Sequence, residues 1–129
     1  MNPNEVKEVP NSLRSWFVVH FATDMLFAIP LFLVPEWVLP LFGWEVVDPI
    51  MSRLAGAALF GIGIESYLGR NADIDTFRAM LNLKLIWASS AVIAFGLGLL
   101  SGGPWAGWLF MGLFVAFLGL WAYYRWRLR

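Results

Sequence analysis

The chain of 129 residues has no cysteine and a single histidine, and only 14% of it is charged. Without cysteine there is no disulfide, no thiolate nucleophile and no cysteine-ligated zinc or iron–sulfur centre, and the redox compartment stays open. The sequence also lacks a nucleotide-binding glycine loop, a catalytic signature and a complete metal-ligand set, so it singles out no catalytic residue, no metal site and no cofactor. Net charge is missing as well: nine basic residues balance nine acidic ones. That balance argues against a nucleic-acid binder, which works by neutralising phosphates.

What the chain does have is apolar surface. It is 60% hydrophobic and 17% aromatic, with eight tryptophans. An ordinary soluble domain is roughly half apolar and a quarter charged, so this composition points to lipid. A spanning helix needs about 20 residues. Four spans with short connections would therefore use up the chain and leave no room for an extramembrane catalytic domain.

Four apolar stretches predict helices over about 13–34, 50–69, 76–100 and 104–124. The first is too long for a signal-peptide core and has no small-residue cleavage site, so it reads as a retained helix. Segment 35–49, broken by Pro40 and Gly43 and carrying Trp37 and Trp44, suits a short piece lying along the membrane surface. Asp73 and Asp75 are candidate N-caps for the third helix. Ser101, Gly102, Gly103 and Pro104 form a tight turn before the fourth. The expected architecture is all-α, a single domain over 1–129 forming an integral membrane up-and-down four-helix bundle.

Charge asymmetry orients it. Lys7 and Arg14 lie near the N-terminus, Arg70 and Arg78 flank the second connection, and Arg125, Arg127 and Arg129 close the chain. The first connection carries Glu36, Glu45 and Asp48, and the third carries no charge. The positive-inside rule then makes both termini and the middle loop cytoplasmic. Trp16, Trp121 and Trp126 fall near the inner interface, and Trp37, Trp44, Trp105 and Trp108 near the outer one.

Ionisable residues inside spans are costly, and each is a candidate for function. By helical rise, His20 lies roughly 9 Å inward of Arg14, Glu65 about 7.5 Å from Arg70 and Lys84 about 9 Å from Arg78, while Asp24 sits near mid-membrane. His20 and Asp24, four residues apart, share one helix face. Three readings are open for them: a proton-relay or ligand-binding pair with Asp24 fixing the His20 tautomer, an interhelical hydrogen-bond pair that sets register, or an axial haem or pigment ligand in His20. Glu65 shares a face with Ala57, Ala58, Gly61 and Gly69, small residues that let a neighbour approach, so that face is expected to turn inward and bury it. On the third helix Asn82, Ile86, Ser89 and Ile93 form a stripe. If the stripe faces the bundle, Lys84 faces lipid and snorkels to the inner interface; the competing arrangement is a Glu65–Lys84 ion pair. Arg53 reads as an outer-interface anchor pairing with Asp48, Glu45 or lipid phosphate.

The stretch RLAGAALFGIGIESYLGRN, residues 53–71, resembles the second-helix signature of small four-helix prokaryotic membrane proteins that are loosely DoxX-like, in which an arginine opens a small-residue helix ending in a basic turn. The resemblance implies a four-helix bundle in the prokaryotic cytoplasmic (inner) membrane. Such proteins are associated with quinone-linked redox complexes, but no residue here matches that role. The expected function is that of a non-enzymatic accessory subunit or small oligomer, its partners being the lipid bilayer and other membrane subunits or further copies of itself. The alternative is a small proton-coupled transporter or binding protein with His20, Asp24 and Glu65 lining a polar cavity.

Overall fold

Four long helices account for most of the chain. In the computed structural model, which describes residues 8–129, α1 spans Asn11–Leu33, α2 is the short Pro35–Val38, α3 spans Pro49–Leu68, α4 Ile74–Leu100 and α5 Ala106–Arg127. Lys7, counted above toward the inner charge, lies outside the described residues.

Local chemistry explains the boundaries. The helix break at Val34 precedes Pro35, which has no backbone N–H to continue α1 and instead opens α2. A single 3-10 turn, Leu39–Phe42, ends at Gly43 with φ 94°. A Cβ there would stand 2.8 Å from the Trp105 ring, so both the left-handed backbone and the close approach require glycine. Asp48 caps α3 by accepting from the backbone N–H groups of Ile50 and Met51, with Pro49 in the first turn. Asp73 caps α4 by accepting from Thr76 N–H at 2.9 Å. Asp75, the other expected cap, pairs with Arg78 at 2.8 Å instead.

Among the described residues, three helices are long and apolar enough to cross a membrane: α1, α4 and α5. The fourth expected span, α3, is less apolar, because Arg53 and Glu65 fall within its 20 residues together with three glycines. Outward faces are apolar along most of the molecule, with Leu26, Leu54, Ile86, Leu97 and Leu109 each more than half exposed.

The helices associate as two close pairs, α1 with α3 and α4 with α5. Glycine sets the first contact: the Cβ position of Gly56 lies 3.2 Å from the Ala28 carbonyl oxygen and the Phe32 nitrogen, and Gly63 lies against Asp24. Small residues let backbones come this near. Aromatic rings fill the second pair, where Phe114 meets Trp87 and Phe95.

The pairs meet in a cluster at the end where α1 begins and α5 finishes, built from Leu13, Phe17, Phe77, Leu81, Trp121 and Tyr124 among others. Phe17 lies 4.6 Å from Phe77 and edge-on to Trp121 at 5.5 Å. Trp121, expected near the inner interface, is 1% exposed and fills the space between the pairs at this end. Polar ties lace the same end: Arg14 donates to the carbonyls of Arg70 and Ala72, Arg78 to the Leu128 carbonyl, and the Tyr124 hydroxyl to Ser12 Oγ. At the opposite end Phe42 and Trp44, from the segment between α2 and α3, cover Phe110.

Candidate functional site

Just beyond that aromatic cluster, four polar side chains are enclosed where the pairs meet. His20 is 3% exposed, Asp24 5%, Ser66 1% and Lys84 2%. Helix α1 presents His20 and Asp24 one turn apart, α3 presents Ser66 next to the Gly63 contact, and α4 carries Lys84 in from the other side.

Lys84 Nζ donates to Ser66 Oγ at 2.5 Å and to His20 Nδ1 at 2.6 Å. It also lies over the faces of Phe17 at 4.6 Å and Trp121 at 4.9 Å. Two acceptors and two negative ring faces are surroundings that suit an ammonium group. Ser66 directs its own hydroxyl to the Ile62 carbonyl at 2.7 Å, so towards Lys84 it is an acceptor only.

The charge on Lys84 sets the histidine tautomer. With Lys84 as an ammonium, which can only donate, Nδ1 accepts and the ring proton of a neutral His20 belongs on Nε2; with Lys84 as an amine, Nδ1 can carry the proton and donate. Nε2 faces Asp24 Oδ1 at 3.4 Å, beyond the roughly 2.7–3.2 Å of an ordinary N–H···O bond. Phe117 and Trp121 hold the ring from the side, at 4.7 and 5.2 Å. The far carboxylate oxygen, Asp24 Oδ2, is one of two buried side-chain polar atoms without a hydrogen-bond partner among the described residues; the other is Trp87 Nε1.

This arrangement can move a proton while its total charge stays the same. If Lys84 Nζ passes a proton to Nδ1 while Nε2 passes its own to Asp24 Oδ1, the ammonium and carboxylate become an amine and a carboxylic acid. The ring ends as its other tautomer. The Lys84–His20 contact is already at bonding distance, so the step waits on closure of the His20–Asp24 gap. Nδ1 of His20 is taken up by Lys84, while Nε2 has Asp24 near it but outside bonding distance.

The expected site residues divide. His20 and Asp24 sit together as their spacing indicated. Lys84 does not snorkel: it points inward, because its face of α4 meets α1 and α3, and no ion pair joins it to Glu65. Glu65 corrects the expectation of an inward carboxylate. Gly56, Leu59, Gly63 and Ser66 form the buried face of α3, which turns Glu65 and Gly61 outward. Asn82 is likewise exposed and accepts from Arg125 Nε at 2.8 Å. Arg53 is exposed and donates to the Phe32 carbonyl at 3.0 Å; it pairs with neither Asp48, which is occupied as a cap, nor Glu45. Sequence reasoning missed Ser66. The available signal was its position three residues after Gly63 on a face with Gly56.

No family model matches the chain, and no curated protein or solved structure matches it either.

Proposed function

We propose that this chain is a four-span protein of a prokaryotic cytoplasmic membrane that holds an exchangeable proton on Lys84, His20 and Asp24, and that it acts as a small proton-coupled membrane protein of the transporter kind rather than an enzyme. The observation that carries this reading is the unbroken hydrogen-bonded line from Ser66 through Lys84 to His20, with Asp24 next in reach, enclosed among apolar helices. Ionisable groups at such depth are expensive, and a tie serving only packing needs one donor and one acceptor. Here a donor, a two-sided relay and an acceptor stand in sequence.

Helix α3 serves as the fourth crossing in this reading. Its 20 residues reach about 30 Å, the thickness of the hydrocarbon layer, with Arg53 toward one end and Glu65 toward the other. Arg14, Arg70, Arg78, Arg125, Arg127 and Arg129 share the end where α1 begins and α5 finishes, while Glu36, Glu45 and Asp48 lie at the other, which supports a cytoplasmic location for the first of these ends. The likeness of residues 53–71 to DoxX-like helices agrees with that location.

The test is difference infrared spectroscopy of the protein in lipid while pH is changed. A band from a buried protonated carboxyl that appears with pH and disappears in Asp24→Asn supports a mobile proton. A spectrum with no Asp24-dependent band at any pH reduces the array to a packing device.

A second reading, an accessory subunit or self-associating chain, is favoured by α5. Gly112, Ala116 and Gly119 line its outer face, and the two glycines have open space beside them. Native mass spectrometry of protein released gently from its own membrane tests this, through extra polypeptides or a uniform oligomer.

A further inference from the structure

The array is closed off on most sides. Toward the start of α1 the clustered rings of Phe17, Phe77 and Trp121 close it off, and toward the other end Gly63 lies on Asp24. Between α3 and α4, however, a small cavity opens to the side, lined by Ile62, Glu65, Ser66, Met80, Leu83 and Lys84, with a volume of about 10 Å³. That is close to the room one water molecule needs. Ser66 and Lys84 form its floor, and Glu65 stands exposed at its mouth.

We propose that Glu65 is the residue through which the buried array exchanges protons with the outside, across the side opening between α3 and α4. The inference rests on the reading above that the array holds an exchangeable proton. The Glu65 carboxylate makes no hydrogen bond or ion pair among the described residues; the residue's backbone carbonyl accepts from Gly69, but no structural tie consumes its side chain. An unpaired carboxylate on an apolar helix face is costly unless it serves a pathway or is covered.

Besides Lys84, Glu65 is the one titratable group that lines this opening. Around Lys84, helix α1 contributes His20 and Asp24, α3 contributes Ser66 with Glu65 at the opening, and α5 contributes only the Trp121 ring. Tyr124, the nearest phenol along α5, is committed to Ser12 on the far side of the aromatic cluster. In the exchange step, the Glu65 carboxylic acid gives its proton to a water in the opening, which gives one to the Lys84 amine. The products are a Glu65 carboxylate and a Lys84 ammonium, and the carboxylate is reprotonated from the cytoplasmic interface.

Because the chain has one histidine, its ring can be watched without assignment. The full chain, carrying ¹⁵N in the His20 ring, is placed in nanodiscs of phosphatidylcholine and phosphatidylglycerol, and ring-proton exchange is measured by nuclear magnetic resonance between about pH 5 and about pH 8. Glu65→Gln should leave the end-point ring shifts in place and slow exchange by at least about a hundredfold, the low end of what a positioned proton donor contributes. Leu83→Phe, which fills the opening and keeps the carboxylate, should slow it similarly. Wild-type exchange rates in both variants, with a ring that still responds to pH, overturn the role of Glu65 and leave the array reading standing. A ring in the unmodified protein that neither shifts nor exchanges overturns both.

Discussion

Gly63 and Asp24 are in direct contact across the α1–α3 crossing: a Cβ on Gly63 would lie 2.7 Å from Asp24 Cβ and 3.1 Å from its Oδ2. The absent methyl group is what lets a carboxylate occupy a helix crossing. Cβ of Asp24 is tied to its own backbone and cannot swing aside, so Gly63→Ala should push the pair apart and lower stability by about 1–3 kcal/mol, the usual cost of overpacking. Gly61, one turn-half away and open to the outside, is the control. Gly61→Ala should leave stability unchanged or raise it by up to about 1 kcal/mol through helix propensity. Thermal unfolding in detergent compares the two, and equal losses would refute the argument.

The charges of Lys84 and Asp24 are expected to depend on each other. Removing one member of a buried pair leaves the other uncompensated and costs about 3–5 kcal/mol, whereas removing both is often close to neutral. Asp24→Asn should therefore lower the melting temperature strongly, and Asp24→Asn combined with Lys84→Met should recover most of the loss. If Asp24→Asn alone is silent, the pair does not rest as ammonium and carboxylate.

Arg14 closes the turn between α3 and α4 from a different helix, donating to Arg70 O at 2.9 Å and Ala72 O at 3.0 Å while lying over Phe77. Arg14→Met keeps the apolar stem and removes the donors. Its expected cost is about 1.5 kcal/mol, the low end for a charged donor because the site is half-exposed. Hydrogen exchange should rise in residues 69–73 and not in the connection between α4 and α5.

The cap of α4 gives an acid-side signature. Hydrogen bonds from Thr76, first its side chain and then its backbone, hold the Asp73 carboxyl below its ordinary value of 3.8. A carboxylate held low in the folded state stabilises fully above its unfolded value and loses that contribution as pH falls through the folded one. The gap in melting temperature between wild type and Asp73→Ala should thus be constant at neutral pH and shrink only in acid below about the ordinary carboxylate range. A gap that widens on acidification contradicts this.

The lack of cysteine makes topology simple to measure. Single substitutions Glu45→Cys, Asn71→Cys and Ser101→Cys, probed with a membrane-impermeant maleimide on intact cells, should label at 45 and 101 and stay protected at 71. Labelling at 71 in intact cells would reverse the orientation.

Much of the helical plan was legible in the sequence, since long apolar runs separated by Pro, Gly and Asp leave few other options. The His20 and Asp24 pairing was legible for a local reason, as four residues make one helical turn. Which faces of α3 and α4 turn inward was not. These helices are apolar nearly all round, so periodicity carries little information about facing. On α3 both Ala57–Gly61 and Gly56–Gly63 offer small-residue faces, and it is the second that meets α1, at Ala28, Phe32 and Asp24. On α4 the polar Asn82 looked like an inward residue, yet Arg125 of α5 meets it on the surface, and Lys84 takes the interior.

The division into two helix pairs has a mechanical meaning. Lys84 belongs to the α4–α5 pair, while His20, Asp24 and Ser66 all belong to α1–α3. The helices within each pair are in close contact, whereas both hydrogen bonds of the Lys84 ammonium cross the seam, to His20 and to Ser66. Any sliding of one pair past the other disengages the ammonium from its acceptors before it disturbs either pair. By reciprocity, whatever proton occupancy favours engagement must be favoured by it in return. If the array holds the exchangeable proton proposed above, it acts as a clutch, linking the relative position of the two helix pairs to a protonation state.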